Sequence, residues 1–131
     1  KLANEISLFK DEKSLWETKE GITNSAGTLT LHLLGNLNHF IGKTLGGTDY
    51  VRNRDEEFSL RNVPQAKLIS GINEVKESIK HSLSNLSPED LQKDFPIKMR
   101  DEVHSTQIML VYLLAHFNYH LGQVNYLRRM M

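Results

Sequence analysis

The sequence predicts an all-α protein, a four-helix bundle with a long loop between its second and third helices. Proline occurs only at 64, 88 and 96, so the stretches between glycine and proline markers are long enough for helices of several turns. Apolar residues recur at helical spacing in four segments, and no stretch alternates with the period of two that a half-buried strand requires. Helices with one apolar stripe must bury it against one another, and 131 residues, 39% of them apolar, suffice for one such core, so residues 1–131 read as a single domain.

The first helix is expected over residues 2–16, where Leu2, Ile6, Phe9 and Leu15 fall on one face. A second starts at Asn24-Ser25, either of which can cap the free amides of a first turn. It runs through Leu29, Leu33, Leu34, Leu37 and Ile41 to a stop at Gly46-Gly47. The third begins at Pro64, tolerated where a first-turn amide has no partner. Leu68, Ile72, Val75, Ile79, Leu83 and Leu86 follow in near-heptad rhythm. Ser87-Pro88-Glu89-Asp90 reads as the capped start of a short extra turn, and the last helix spans about His104 to Arg129. Residues 46–63 exceed the two to eight residues usual between bundle helices. With charges of both signs between Tyr50 and Phe58, this loop suits either a solvated segment pinned by its aromatics or the wall of a pocket.

Sixteen Lys and Arg balance sixteen Asp and Glu, leaving no excess positive charge to hold a phosphate backbone, and nucleic acid is not an expected partner. Without cysteine there is no disulfide framework, thiolate metal site or cysteine nucleophile, and the six histidines are the remaining soft ligands. No run approaches the roughly 18 uncharged apolar residues of a membrane span, and the first residues lack the basic start and apolar run of a signal peptide. A cytoplasmic location without membrane association is therefore the expectation.

At about 100° per residue, His116, His120 and Gln123 share one narrow sector of the last helix with Met109, Leu113 and Leu127. The pair thus faces the core, where two imidazoles one turn apart need something to satisfy their nitrogens. His-x-x-x-His on a helix is a good bidentate chelate for a divalent ion, although a core histidine is commonly satisfied by an ordinary hydrogen bond. On the second helix His32 and Asn36 form a polar stripe with His39 and Lys43, beside the Leu29, Leu33, Leu37 and Ile41 face. This stripe either faces solvent or lines a wet cleft in which His32, deepest, completes a three-histidine site. His39 is the competitor, ranked second because it lacks an apolar neighbourhood on both sides. His81 and His104 lie in charged stretches and are expected to be exposed.

The segments Asn24-Ser25-Ala26-Gly27, His32-Leu33-Leu34-Gly35-Asn36-Leu37, Arg52-Asn53-Arg54-Asp55-Glu56-Glu57-Phe58 and His116-Phe117-Asn118-Tyr119-His120-Leu121-Gly122-Gln123, in that order and spacing, resemble the DinB/YfiT-like metalloenzyme superfamily. The likeness covers nearly the whole chain. It implies a four-helix bundle holding a divalent transition metal (nickel, zinc, manganese or iron) through His32, His116 and His120. Several members are thiol-dependent enzymes, including bacillithiol S-transferases and mycothiol-dependent maleylpyruvate isomerase, so the resemblance also implies a low-molecular-weight thiol as cosubstrate. It is compatible with a homodimer formed through an outer helix face.

Three imidazoles leave a coordination position open, as catalytic sites do. With no cysteine of its own, the chain would need the thiol nucleophile to come from outside. Asn36 and Gln123 are candidates to orient an imidazole or a substrate group. Arg52 and Arg54 are candidates for substrate carboxylates, with a structural ion pair to Asp55 or Glu56 the more ordinary role; Trp16 and Tyr112 are candidate pocket walls or core residues. Two functions remain open: a metal-dependent transferase or hydrolase acting on a small molecule, and a non-catalytic metal-binding bundle serving as a stress or interaction protein.

Overall fold

The computed structural model describes residues 1–131; helices are its only extended regular structure, with two isolated antiparallel bridges and no strand. Its elements are α1 (Leu2–Ser7), α2 (Ala26–Leu37) continued by a π-helical turn (Asn38–Lys43), α3 (Arg54–Ser59), α4 (Gln65–Ser84), α5 (Pro88–Gln92) and α6 (Thr106–Met130). Three long helices and the short α1 make the bundle. No helix is long and apolar enough to cross a membrane.

The first helix is shorter than expected. It stops at Ser7 because the next residues satisfy their backbone locally: Asp11 accepts the Ser14 amide at 2.8 Å, and the Ser14 hydroxyl donates to the Asp11 carbonyl. Such short-range bonds compete with helix continuation. All four apolar residues of the segment are nonetheless buried, Phe9 and Leu15 from irregular backbone rather than from a helix face. The turn also serves α4. Pro64 provides no side-chain cap, and the Glu12 carboxylate accepts the Gln65 amide, placing a negative charge at the positive end of α4.

α1 is latched to α6 by Arg128, whose Nε donates to Glu5 Oε2 at 2.7 Å. That hydrogen bond holds the Glu5 carboxyl below its ordinary value of 4.5. Between the lowered folded value and the unfolded one, the unfolded chain binds more protons, so the pair contributes stability above about pH 4.5 and loses it as pH falls. Glu5→Gln is expected to remove this contribution, about 1 kcal/mol or less for a pair at the rim. Urea midpoints of both proteins should converge as the pH is lowered from 7 to 3; a constant gap would show that the pair acts through packing alone.

α2 starts at Ser25, whose hydroxyl accepts the Thr28 amide, and it is buried on almost every side. α3, α4 and α6 all pack on it. The stripe carrying His32 and Asn36 is therefore buried along with the leucine face, which decides for the cleft over the solvent-facing alternative. Where α2 widens into the π-helical turn, Gly42 and Gly46 let α4 approach, because a Cβ at either position would overlap the hydroxyl of Ser78 or Ser82.

Residues 46–63 are not a plain loop. They contain α3, started by Asn53, which accepts the Glu56 amide, and α3 lies against α2. The extra turn after α4 carries a full capping box between Ser87 and Asp90. Two apolar clusters form the core, one around Leu2, Ile6, Leu15, Leu29, Leu33, Leu68, Val124 and Leu127, the other around Leu37, Ile41, Val75, Phe95, Met109 and Leu113. Between Leu113 and Val124, where α6 passes from one cluster to the other, lie His116 and His120.

Candidate metal centre

Three histidines from two helices converge here. His116 Nε2 stands 3.2 Å from His32 Nε2 and 3.1 Å from His120 Nε2. Nitrogens each about 2.1 Å from a shared ion lie about 3.0–3.4 Å apart for bond angles between perpendicular and tetrahedral. Those two separations fit that geometry, and the three ligand atoms together lie within 4.8 Å of one another.

The opposite ring nitrogens explain why the three Nε2 atoms point together. His32 Nδ1 donates to Glu57 Oε2 at 2.9 Å, and His120 Nδ1 donates to Gln123 Oε1 at 2.6 Å. Both imidazoles then present an unprotonated Nε2 to the centre, the tautomer a metal requires. His116 Nδ1 is buried without a partner. Burial, reinforced by the neighbouring His120 and His32, pushes the His116 pKa down to about 4. Burial also lowers that of His32, against the opposing pull of Glu57. One proton on His116 Nε2 serves the two facing Nε2 acceptors incompletely, whereas a divalent ion takes a lone pair from each of the three rings, so the residues present fit a divalent ion.

Glu57 is the residue that inspection of the sequence missed. Only 5% exposed, it receives Arg52 on both oxygens, Nε to Oε1 at 2.6 Å and a terminal nitrogen to Oε2 at 2.8 Å, while holding His32. Burial pushes its carboxyl up, but the Arg52 and His32 hydrogen bonds prevail and hold it ionised below the ordinary range. The structural ion pair expected for Arg52 thus exists with Glu57, not with Asp55 or Glu56, which are exposed. Phe58, the next residue, lays its ring against His32 at 4.9 Å between centroids. A Cβ on Gly35 would overlap the Glu57 carboxylate, so only glycine lets α3 deliver Glu57 to this depth.

The other candidates divide. A cavity of about 550 Å³ opens beside the cluster, lined among others by His32, His116, Asn36, Arg52, Arg54 and Tyr112. Asn36 makes no bond to an imidazole; its Oδ1 is buried without a partner. Gln123 does hold His120, and both border a second, separate hollow. Trp16 lines neither space. It packs in the first apolar cluster with its indole against Gly27, because the chain turns away from α1 before reaching it. His39 lies outside the cluster, and His81 is exposed as expected. His104 is not: it lines the main cavity with its ring edge-to-face on Tyr112, held there by the return of residues 94–105, where Phe95 donates to the His104 carbonyl.

A family model described as "Protein of unknown function (DUF1572)" matches residues 3–131. The chain belongs to this family, which is part of the DinB-like superfamily. Among solved structures, the crystal structure of a DinB-like protein from Bacillus cereus ATCC 10987 superimposes with a TM-score of 0.75 at 17% identity, covering 98% of this chain and 82% of that one. At that identity the likeness establishes the DinB-like fold. No curated protein matches the chain.

Proposed function

We propose that this DUF1572 protein is a divalent-metal-dependent enzyme acting on a small molecule, with His32, His116 and His120 as the metal ligands. The observation that supports it is the convergence of three Nε2 atoms, two with their Nδ1 protons committed to Glu57 and Gln123, at the wall of a cavity of about 550 Å³. Three protein ligands leave a position free for water or substrate, as catalytic sites do and closed structural sites do not. A bound ion there would lower the pKa of a coordinated water, or deprotonate a thiol, near neutral pH.

The chain's own residues supply the rest. Glu57 and Gln123 fix the imidazole tautomers, and Arg52 keeps Glu57 ionised. Asn36 offers an unpaired amide oxygen to a ligand in the cavity. With no cysteine in the chain, a thiol nucleophile comes from a low-molecular-weight cosubstrate, and water is the nucleophile of the hydrolytic version of the same reading.

Elemental analysis of protein purified without tag or chelators, beside His116→Ala/His120→Ala, tests the ligands. About one equivalent of transition metal that disappears in the variant, with far-UV circular dichroism preserved, is the expected result. Equal occupancy in both would reject the ligand set. A cobalt-substituted protein whose visible spectrum shifts on adding a small thiol supports the open position; a spectrum indifferent to thiol and to exchangeable anions identifies a saturated, non-catalytic site.

A further inference from the structure

The main cavity carries more positive charge than the chain as a whole. Three arginines line it, in a protein whose formal net charge is zero. Arg52 is neutralised by Glu57. Arg54 and Arg100, both exposed at the mouth, pair with no carboxylate. Arg54, in the first turn of α3, lies over the Phe58 ring, 5.7 Å from its centroid. The one carboxylate at the mouth, Glu102, is 76% exposed and stands 3.6 Å from His104 Nε2.

Arg100 reaches the cavity from an unusual turn. Met99 and Glu102 pair as a two-residue hairpin, and both central residues, Arg100 at φ 51° and Asp101 at φ 66°, are in the left-handed region. Such turns favour Asn, Asp and Gly; Asp101 is of that kind and Arg100 is not. Deeper inside, Asn36, 8% exposed, keeps its unpartnered Oδ1. Phe40, Met99 and Leu113 supply apolar wall.

The geometry points to a small organic anion as the ligand of this cavity, a carboxylate or phosphate ester whose charge is held by Arg54 and Arg100, whose body carries a hydrogen-bond donor for Asn36 Oδ1, and whose reacting end faces His32 and His116. This rests on the metal-site reading only for which end reacts. An unpaired guanidinium gains most from a planar or tetrahedral oxyanion, which it binds through charge-assisted hydrogen bonds. The volume falls in the range of small-molecule sites and, with apolar walls, favours an anion attached to a carbon skeleton.

Titration of the purified protein with phenylacetate, phenylphosphate and the neutral 2-phenylethanol, followed by 1H–15N NMR, tests this. Either anion should shift the Asn36 side-chain amide and bind at least about tenfold more tightly than the alcohol, the worth of one charge-assisted hydrogen bond. The tighter of the two anions names the headgroup. Arg54→Gln/Arg100→Gln should lose that preference while Lys67→Gln, on the exposed side of α4, keeps it. The same titration on His116→Ala/His120→Ala separates the two readings: retained anion preference without metal supports the arginine site independently of the ligand assignment. Equal binding of anion and alcohol, an arginine variant that binds like the parent, or preference lost only with the histidines would overturn it.

Discussion

Glu57→Ala is expected to destabilise the protein by about 3 kcal/mol and to weaken metal binding by about 10–100-fold. The stability loss comes from Arg52. Its side chain is 13% exposed, and its Nε and one terminal nitrogen are both bonded to Glu57, so removing the carboxylate strands a largely buried positive charge. The metal effect comes from His32. Without an acceptor on Nδ1 the ring is free to exchange tautomers and to rotate, and its Nε2 lone pair is no longer directed at His116 and His120. Glu57→Gln, which keeps the volume and one acceptor oxygen, should lose less on both counts. Urea unfolding and competition with a chromogenic chelator measure the two effects. Wild-type metal affinity in Glu57→Ala would show that His32 needs no orientation from α3.

Gly35→Ala should do similar damage from the opposite side. In an exposed helix interior, replacing glycine with alanine is worth about 1 kcal/mol of stability. Gly122, in the middle of α6 with open space where a Cβ would stand, should show that gain. At Gly35 the sign reverses, with a loss of about 1–3 kcal/mol, because the new methyl group meets the Glu57 carboxylate. A flexible side chain would simply swing aside. Glu57 cannot, since Arg52 holds both of its oxygens and His32 holds one of them. Gly35→Ala should therefore also lower metal affinity, and in a Glu57→Ala background it should cost little further stability. Additive losses in the double variant would show that the two residues act separately.

These two residues mark where reading the sequence reached its limit. His32, His116 and His120 could be selected from periodicity and family resemblance, because ligands on a helix repeat with the helix and their apolar neighbours reveal which face is buried. Glu57 had no such signature. It stands among Asp55 and Glu56 in an acidic run, and only the packing of α3 on α2 buries it while leaving those two in solvent. His104 was likewise assigned to the surface from its charged neighbours, and the backbone return between Phe95 and His104 carries it into the cavity. Trp16, read as a candidate wall, ends in the core because the Asp11–Ser14 turn redirects the chain after a first helix of six residues.

The sequence alone determined the helical class, the capped start at Ser87, the order of the long helices and most of the apolar residues that fill both clusters, while the choice of Ser25 over Asn24 as the α2 cap came from the structure. Each of these follows from interactions between residues close in the chain or from a repeat of 3.6, and such information is local. Tertiary structure decided the length of α1, the helix within residues 46–63, the burial of the His32 and Asn36 stripe, and the pairing of Arg52 with Glu57. A polar stripe on a helix has the same spacing whether water or another helix covers it. What covers this one is α3 and α6, and their arrival brings the three imidazoles and the Glu57 carboxylate together.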